Sequence, residues 1–176
     1  HSCDDPRLWR GHASVVDEVV AGGIRPDAVI LSVGGGGLLA GVDEGLHRNG
    51  LDNVPIYAAE TQGMSSYNAA LAAGKPVEVT ALTGVASSLG ARQVCQRAFD
   101  LAQKRSVVPV VVTDREAVDA CLNFLDDHRM LVEPACGAAL APLYGKKLNL
   151  ENYKNVLVIV CGGSTATANS LSSFSD

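Results

Sequence analysis

Four consecutive glycines, Gly34 to Gly37, stand between the apolar run AVILSV (28–33) and a segment whose Leu38, Leu39, Val42 and Leu46 recur at helical spacing. Glycine loses more backbone entropy on folding than any other residue. Such a run therefore belongs where the chain takes unusual angles or comes very close to another group. A glycine-rich turn feeding a helix presents several unshared N–H donors with the positive end of the helix dipole behind them. That is a cradle for a phosphate, and it needs no charged side chain. Spacing alone does not name the phosphate's owner. The run lacks the G-x-x-x-x-G-K-[ST] pattern, and G-x-G-x-x-G fails because Leu39 stands where the third glycine is required. On composition alone, a flexible turn remains the alternative.

Two other groups fall at comparable places. Glu60 ends the run VPIYAAE (54–60), and Cys161 follows NVLVIV (155–160) and opens CGGST. Glu60 reads either as a solvated or salt-bridged carboxylate or as a ligand for a hard cation. Cys161 reads either as a small buried hydrophobe or as a weak hydrogen-bond partner for a ligand, with Gly162 and Gly163 permitting close approach. His1, His12, His47 and His128 lie far apart without metal-ligand spacing and read as surface or loop residues, while Glu133, just before Pro134, reads as a helix-end carboxylate.

The elements that must position these groups alternate. Helices are expected over 11–21, after the glycines, over 65–73, over 91–104 and from Thr113 to about His128, with a further one starting at EPACGAALAPLYGKK. Thr113 and Glu116 form the capping box of the fifth. Strands are expected over 28–33, 54–60, 106–112 and 155–160, with Pro109 holding the third near a sheet edge and the last buried. Alternating helices and strands predict an α/β fold with a largely parallel sheet flanked by helices. In such a sheet, ligands gather at the carboxyl ends of the strands, where the glycines, Glu60 and Cys161 all fall.

Composition narrows the function. The 176 residues fit one compact domain. Fourteen basic against nineteen acidic residues give a net charge of −5 with no basic block, which argues against nucleic acid or an anionic membrane surface as a partner. No apolar run reaches the roughly 18 to 20 residues of a membrane-spanning helix. Cys3, Cys95, Cys121, Cys136 and Cys161 are odd in number and scattered, without a disulfide or zinc pattern, so a reducing cytoplasm is the expected compartment.

Several blocks in order, SVGGGGLLAGV, AAETQGMSSYNAALAAGK, TGVASSLGAR, LVEPACGAAL and VLVIVCGGS, together with the opening DDPRLWRGHASVV, closely resemble the L-serine dehydratase/L-threonine deaminase family of fold-type-II pyridoxal-phosphate enzymes. The resemblance runs over nearly the whole chain. It implies that Gly34, Gly35, Gly36, Gly37 and Leu38 form the loop binding the cofactor phosphate through backbone N–H groups, and that Cys161 faces the pyridine nitrogen. A cysteine there is similar to mammalian-type serine dehydratases, since threonine deaminases and serine racemases of this fold usually place a serine. The resemblance also implies a monovalent cation, potassium, held by the Glu60 side chain with carbonyls of Gly34, Met64, Leu89 and Ala91. By the same resemblance the activity is β-elimination of L-serine or L-threonine to a 2-oxo acid and ammonia, feeding gluconeogenesis, in a cytoplasmic homodimer.

One expected feature is missing. The family holds its cofactor on a lysine in a Ser-x-Lys-x-Arg-like context, and none of Lys75, Lys104, Lys146, Lys147 or Lys154 stands in such a context. The chain therefore reads as most of a large cofactor-binding domain, residues 1–176. The small domain, the lysine and the substrate-carboxylate loop are expected upstream, and the segment alone is expected to be inactive. The alternatives are a serine racemase or β-replacement synthase of the same fold, or a non-catalytic fragment that needs a partner segment.

Overall fold

The computed structural model describes residues 2–174. Helix α1 covers Pro6–Ala21, starting five residues earlier than its apolar spacing suggested. The reason lies just before it: the Asp5 carboxylate accepts the Arg7 N–H at 2.9 Å, and Pro6 occupies the first helical position, where its missing N–H costs nothing. Strand β1 (Ala28–Ser32) then leads through the glycines into α2 (Gly37–Arg48), β2 (Ile56–Thr61) and α3 (Ser66–Ala73). After a 3-10 turn at Ser87–Leu89 come α4 (Gln96–Lys104), β3 (Val107–Val112), α5 (Asp114–His128), α6 (Pro134–Tyr144), β4 (Val156–Val158) and a short α7 (Ala168–Ser172), which the apolar spacing did not reveal.

The four strands form one sheet in the order β3-β2-β1-β4, and every pairing is parallel. β1 is buried on both faces. Val29 and Leu31 point into a core shared with α1, α2, α3 and α4, while Ile30 points into the opposite core with α5, α6 and α7. The sheet is thus the middle of three layers. β3 lies at one edge, where Pro109 pairs with Ala58 and its missing N–H interrupts no inner ladder.

Two expectations change. Residues 91–95 are not helical: the Val79 N–H donates to Arg92 O and the Cys95 N–H to Gly35 O, and α4 starts only where the Asp4 carboxylate accepts the Gln96 and Arg97 N–H groups. β4 is short and half-buried along its length rather than wholly buried. It pairs with β1 alone among the described residues, which leaves its outer side open.

The strand order fixes where a ligand can sit. From β1 the chain builds outward on one side through β2 and β3, then returns to the other side with β4. Helices leaving β1 and entering β4 therefore diverge, and a crevice opens at the carboxyl ends of these two adjacent strands.

Candidate functional site

The glycine run fills that crevice's floor. Gly36 is the N-cap of α2 with φ +90°, a left-handed conformation that disfavours any side chain, and a Cβ there would come within 2.5 Å of Ala98 Cβ. Gly34 packs so closely on Leu89 that a Cβ would lie 3.2 Å from its carbonyl oxygen. The loop is tied from outside by Cys95, whose N–H donates to Gly35 O at 2.9 Å. Among the described residues, the amides of Gly35, Gly36, Gly37 and Leu38 donate to no protein acceptor, while Gly36 O accepts the Ala40 N–H and starts the helix. These donors cluster at the positive end of a twelve-residue helix with no side-chain cap.

Above them lies a cavity of about 230 Å³. Gly34 to Leu38 and Leu39 form one wall, and Cys136 and Cys161 form another. All six residues assigned to the cofactor by the sequence therefore line one space. The described lysines do not: none of Lys75, Lys104, Lys146, Lys147 and Lys154 reaches it.

The structure also brings in residues that the sequence reading placed elsewhere. His12 is not on an isolated loop but half-buried on α1, at the cavity wall; a Cβ at Gly41 of α2 would collide with it, so a glycine is what allows the two helices to meet there. Glu133 does stand at a helix end, as the N-cap of α6, and it also lines the cavity; its Oε2 accepts the Thr165 hydroxyl at 2.6 Å. Ser32, at the end of β1, donates to Ala135 O at 2.6 Å and so joins the glycine strand to α6. Cys136 occupies the first turn of α6, and its Sγ accepts the N–H groups of Cys161 at 3.3 Å and Gly162 at 3.4 Å. The Cys136 thiol donates to Gly162 O at 3.2 Å, and the nearby Cys161 side chain pulls the Cys136 pKa down to about 6, while the Cys161 pKa moves upward. His1 lies outside the described residues.

The residues read as cation ligands form a neighbouring cluster. Glu60 is fully buried at the end of β2, and its two oxygens accept the Tyr67 and Asn68 N–H groups of α3 at 2.8 Å each. Burial pushes its carboxyl up to about 7, against those two amides. The Ser66 hydroxyl donates to Gly34 O at 3.3 Å, Met64 lies 3.6 Å from a Cβ built at Gly90, and the Ala91 N–H donates to Leu89 O at 2.7 Å. Gly34 and Leu89 are shared with the cavity, whereas Glu60, Met64 and Ala91 stand behind it. Among the described residues, no group of three His, Cys, Asp or Glu side chains is placed to hold a metal ion, so a cation here would depend on carbonyl oxygens as well. No helix is long and apolar enough to cross a membrane.

Comparison with known proteins agrees with this geometry. Residues 1–162 match the family model described as "Pyridoxal-phosphate dependent enzyme". The serine dehydratase-like protein of Mus musculus is 50% identical over 177 residues, an alignment covering 96% of this chain and 54% of that protein. The L-serine dehydratase/L-threonine deaminase of Homo sapiens is 47% identical over 170 residues, covering 92% and 52% respectively. The crystal structure of a fungal L-serine ammonia-lyase from Rhizomucor miehei superposes with a TM-score of 0.92 at 35% identity, over 97% of this chain and 56% of that one. The chain spans about half the length of the curated relatives it matches.

Proposed function

The chain belongs to the pyridoxal-phosphate-dependent enzyme family, and from that premise we propose that it forms the cofactor-holding part of an L-serine dehydratase, which eliminates water from L-serine and releases pyruvate and ammonia. One observation carries the reading: the open amides of Gly35 to Leu38 and the thiol of Cys161 face a single cavity from the adjacent ends of β1 and β4.

The residues present suit the cofactor. Its phosphate matches the amide cradle, which lies at a helix start and leaves no room for side chains at Gly36. Bound there, pyridoxal phosphate supplies an electron sink for the pair left behind when a substrate loses its α-proton. The chain's own residues hold and orient it. The loop amides would hold the phosphate, and Cys161, whose pKa is raised, would face the ring nitrogen as a neutral thiol that does not force a proton onto it. A mild sink of this kind suits prompt loss of a β-hydroxyl rather than a long-lived carbanion. The name of the human relative extends the substrate class to L-threonine.

The cavity's lack of a lysine sets the division of labour. The amine that anchors the cofactor and moves the α-proton comes from a segment outside these residues, together with the small domain. Residues 1–176 then make up most of the large domain. Potassium would be held beside Glu60 by its carboxylate and the carbonyl oxygens of Gly34, Met64, Leu89 and Ala91, and would tie the end of β2 to the glycine loop. The five cysteines, none in a disulfide, support a reducing cytoplasmic setting, and the complete enzyme works as a homodimer in amino acid breakdown that supplies gluconeogenesis. No nucleic acid or membrane takes part.

Pyruvate release from L-serine, followed by a coupled assay, tests this reading. The chain supplied with pyridoxal phosphate is expected to be silent, and the same chain joined to the missing segment is expected to turn over. Turnover by the 176 residues alone, or D-serine in place of pyruvate from the complete protein, overturns it.

A further inference from the structure

A phosphate monoester carries close to two negative charges at neutral pH, yet no lysine or arginine lines the cavity above the glycine loop. Among the described residues that border it, His12 is the only side chain able to carry positive charge. Other polar groups there are engaged: Ser32 donates to Ala135 O, Glu133 Oε2 accepts the Thr165 hydroxyl, and Cys136 donates to Gly162 O. The ring nitrogens of His12 have no protein partner among the described residues.

The packing of α1 on α2 turns that ring toward the loop. Three glycines of α2, four residues apart, meet residues of α1 that advance in step. A Cβ at Gly37 would lie 2.8 Å from Leu8 Cδ2, one at Gly41 would collide with His12 Cβ, and one at Gly45 would lie 2.8 Å from Val16 Cβ. The two helices therefore run close together in the same direction. In an α-helix each Cα–Cβ bond leans toward the N-terminus, so the His12 side chain leans from the level of Gly41 back toward that of Gly37, whose open amide belongs to the cradle. The lining agrees, since His12, Leu8 and the four glycines border one space.

We propose that His12 is a side-chain ligand for the cofactor phosphate: one ring N–H donates to a phosphate oxygen beside the amides of Gly35 to Leu38. The proposal rests on the reading of the loop given under "Proposed function". The amides at the start of α2 supply direction and a partial positive charge. The imidazole adds a donor from a second element, so that α1 as well as α2 grips the anion. Gly41 is what permits this, because a side chain there would push α1 away and withdraw the ring.

The test is modification of histidines by diethyl pyrocarbonate, mapped by peptide mass on the full chain. The ligand is pyridoxine 5′-phosphate, which carries the phosphate but no aldehyde to attach to lysines, and pyridoxine without the phosphate is the control. His47, paired with Asp52, and His128, against Phe124, lie outside the cavity and serve as references. At about ten times its Kd, pyridoxine phosphate is expected to slow modification of His12 about tenfold, while pyridoxine leaves it unchanged and the references stay constant. Calorimetry is expected to show roughly tenfold weaker binding to His12→Phe, which keeps an aromatic ring without the N–H, and a smaller loss in His12→Gln, which keeps a donor. Circular dichroism records that each variant is folded. Equal modification of His12 with and without bound ligand overturns the proposal, and that measurement needs no variant. Full affinity in folded His12→Phe, or equal losses in the two variants, overturns it as well. The loop reading fails separately, and takes the proposal with it, if the wild type does not bind pyridoxine phosphate or if Gly36→Ala binds it unaltered.

Discussion

The carboxylate of Glu60 receives the N–H of Tyr67 at 2.8 Å, and with the neighbouring Asn68 N–H it caps α3 from inside the protein. A carboxylate that is wholly buried, at the end of a strand and against the start of a helix, joins two elements that flank the glycine loop. Replacing it by alanine strands both amides. Glu60→Ala is expected to cost about 1–3 kcal/mol in urea unfolding. Potassium should raise the melting temperature of the wild type and leave the variant unmoved, whereas equal responses would remove Glu60 from the cation site.

Gly36 holds φ +90° with Ala98 at its back. Gly36→Ala is expected to destabilise the chain by roughly 1–3 kcal/mol and to weaken pyridoxal phosphate binding at temperatures where the variant remains folded. Circular dichroism reports the first effect and an absorbance titration the second. Unaltered binding in a folded variant would mean that the loop's backbone shape does not matter to the phosphate.

Asp43 of α2 is nearly buried between Arg97 of α4, at 3.1 Å, and Arg105, at 2.7 Å. Without Asp43, Arg105 keeps its contact with Asp52 and Arg97 is partly solvated, so the loss is that of hydrogen bonds to a charged group. Asp43→Ala is expected to cost about 1–3 kcal/mol, seen as a lower urea midpoint with little change in slope.

Glu116 is held below the ordinary carboxylate range by Lys147, at 2.5 Å, and by the Thr113 N–H of its capping box. A lowered folded pKa means that its stabilisation is present above the unfolded value of about 4.3 and fades as pH falls through the lower folded one. Because the pair is about a third exposed, Glu116→Gln should cost only roughly 0.3–1.5 kcal/mol at pH 7. Thermal melts of the two proteins should converge well below pH 4, and a gap that persists there would contradict the assignment.

Local signals carried the features that depend on neighbours in sequence. The β-branched run at 28–33 became the doubly buried β1, Pro109 kept β3 at an edge, and Thr113 with Glu116 formed the capping box as read. What escaped depends on residues that meet only after folding. The start of α4 is set by Asp4, more than ninety residues away, and the exposure of β4 follows from its place at the sheet's edge. His12 reaches the cavity because Gly41 lets two helices close on each other. Cys136 looked like any small apolar residue of a helix, and its role depends on a turn twenty-five residues later. The cofactor residues were legible chiefly through resemblance, since four glycines alone fit many phosphates.

The most direct measurement follows Cys161 alkylation while pyridoxal phosphate is titrated into the chain, with inorganic phosphate as competitor. Protection of Cys161 that saturates with pyridoxal phosphate, is relieved by phosphate and is weakened by Gly36→Ala is the predicted result. Cofactor that binds and leaves Cys161 as reactive as before would place the ligand elsewhere and contradict the account.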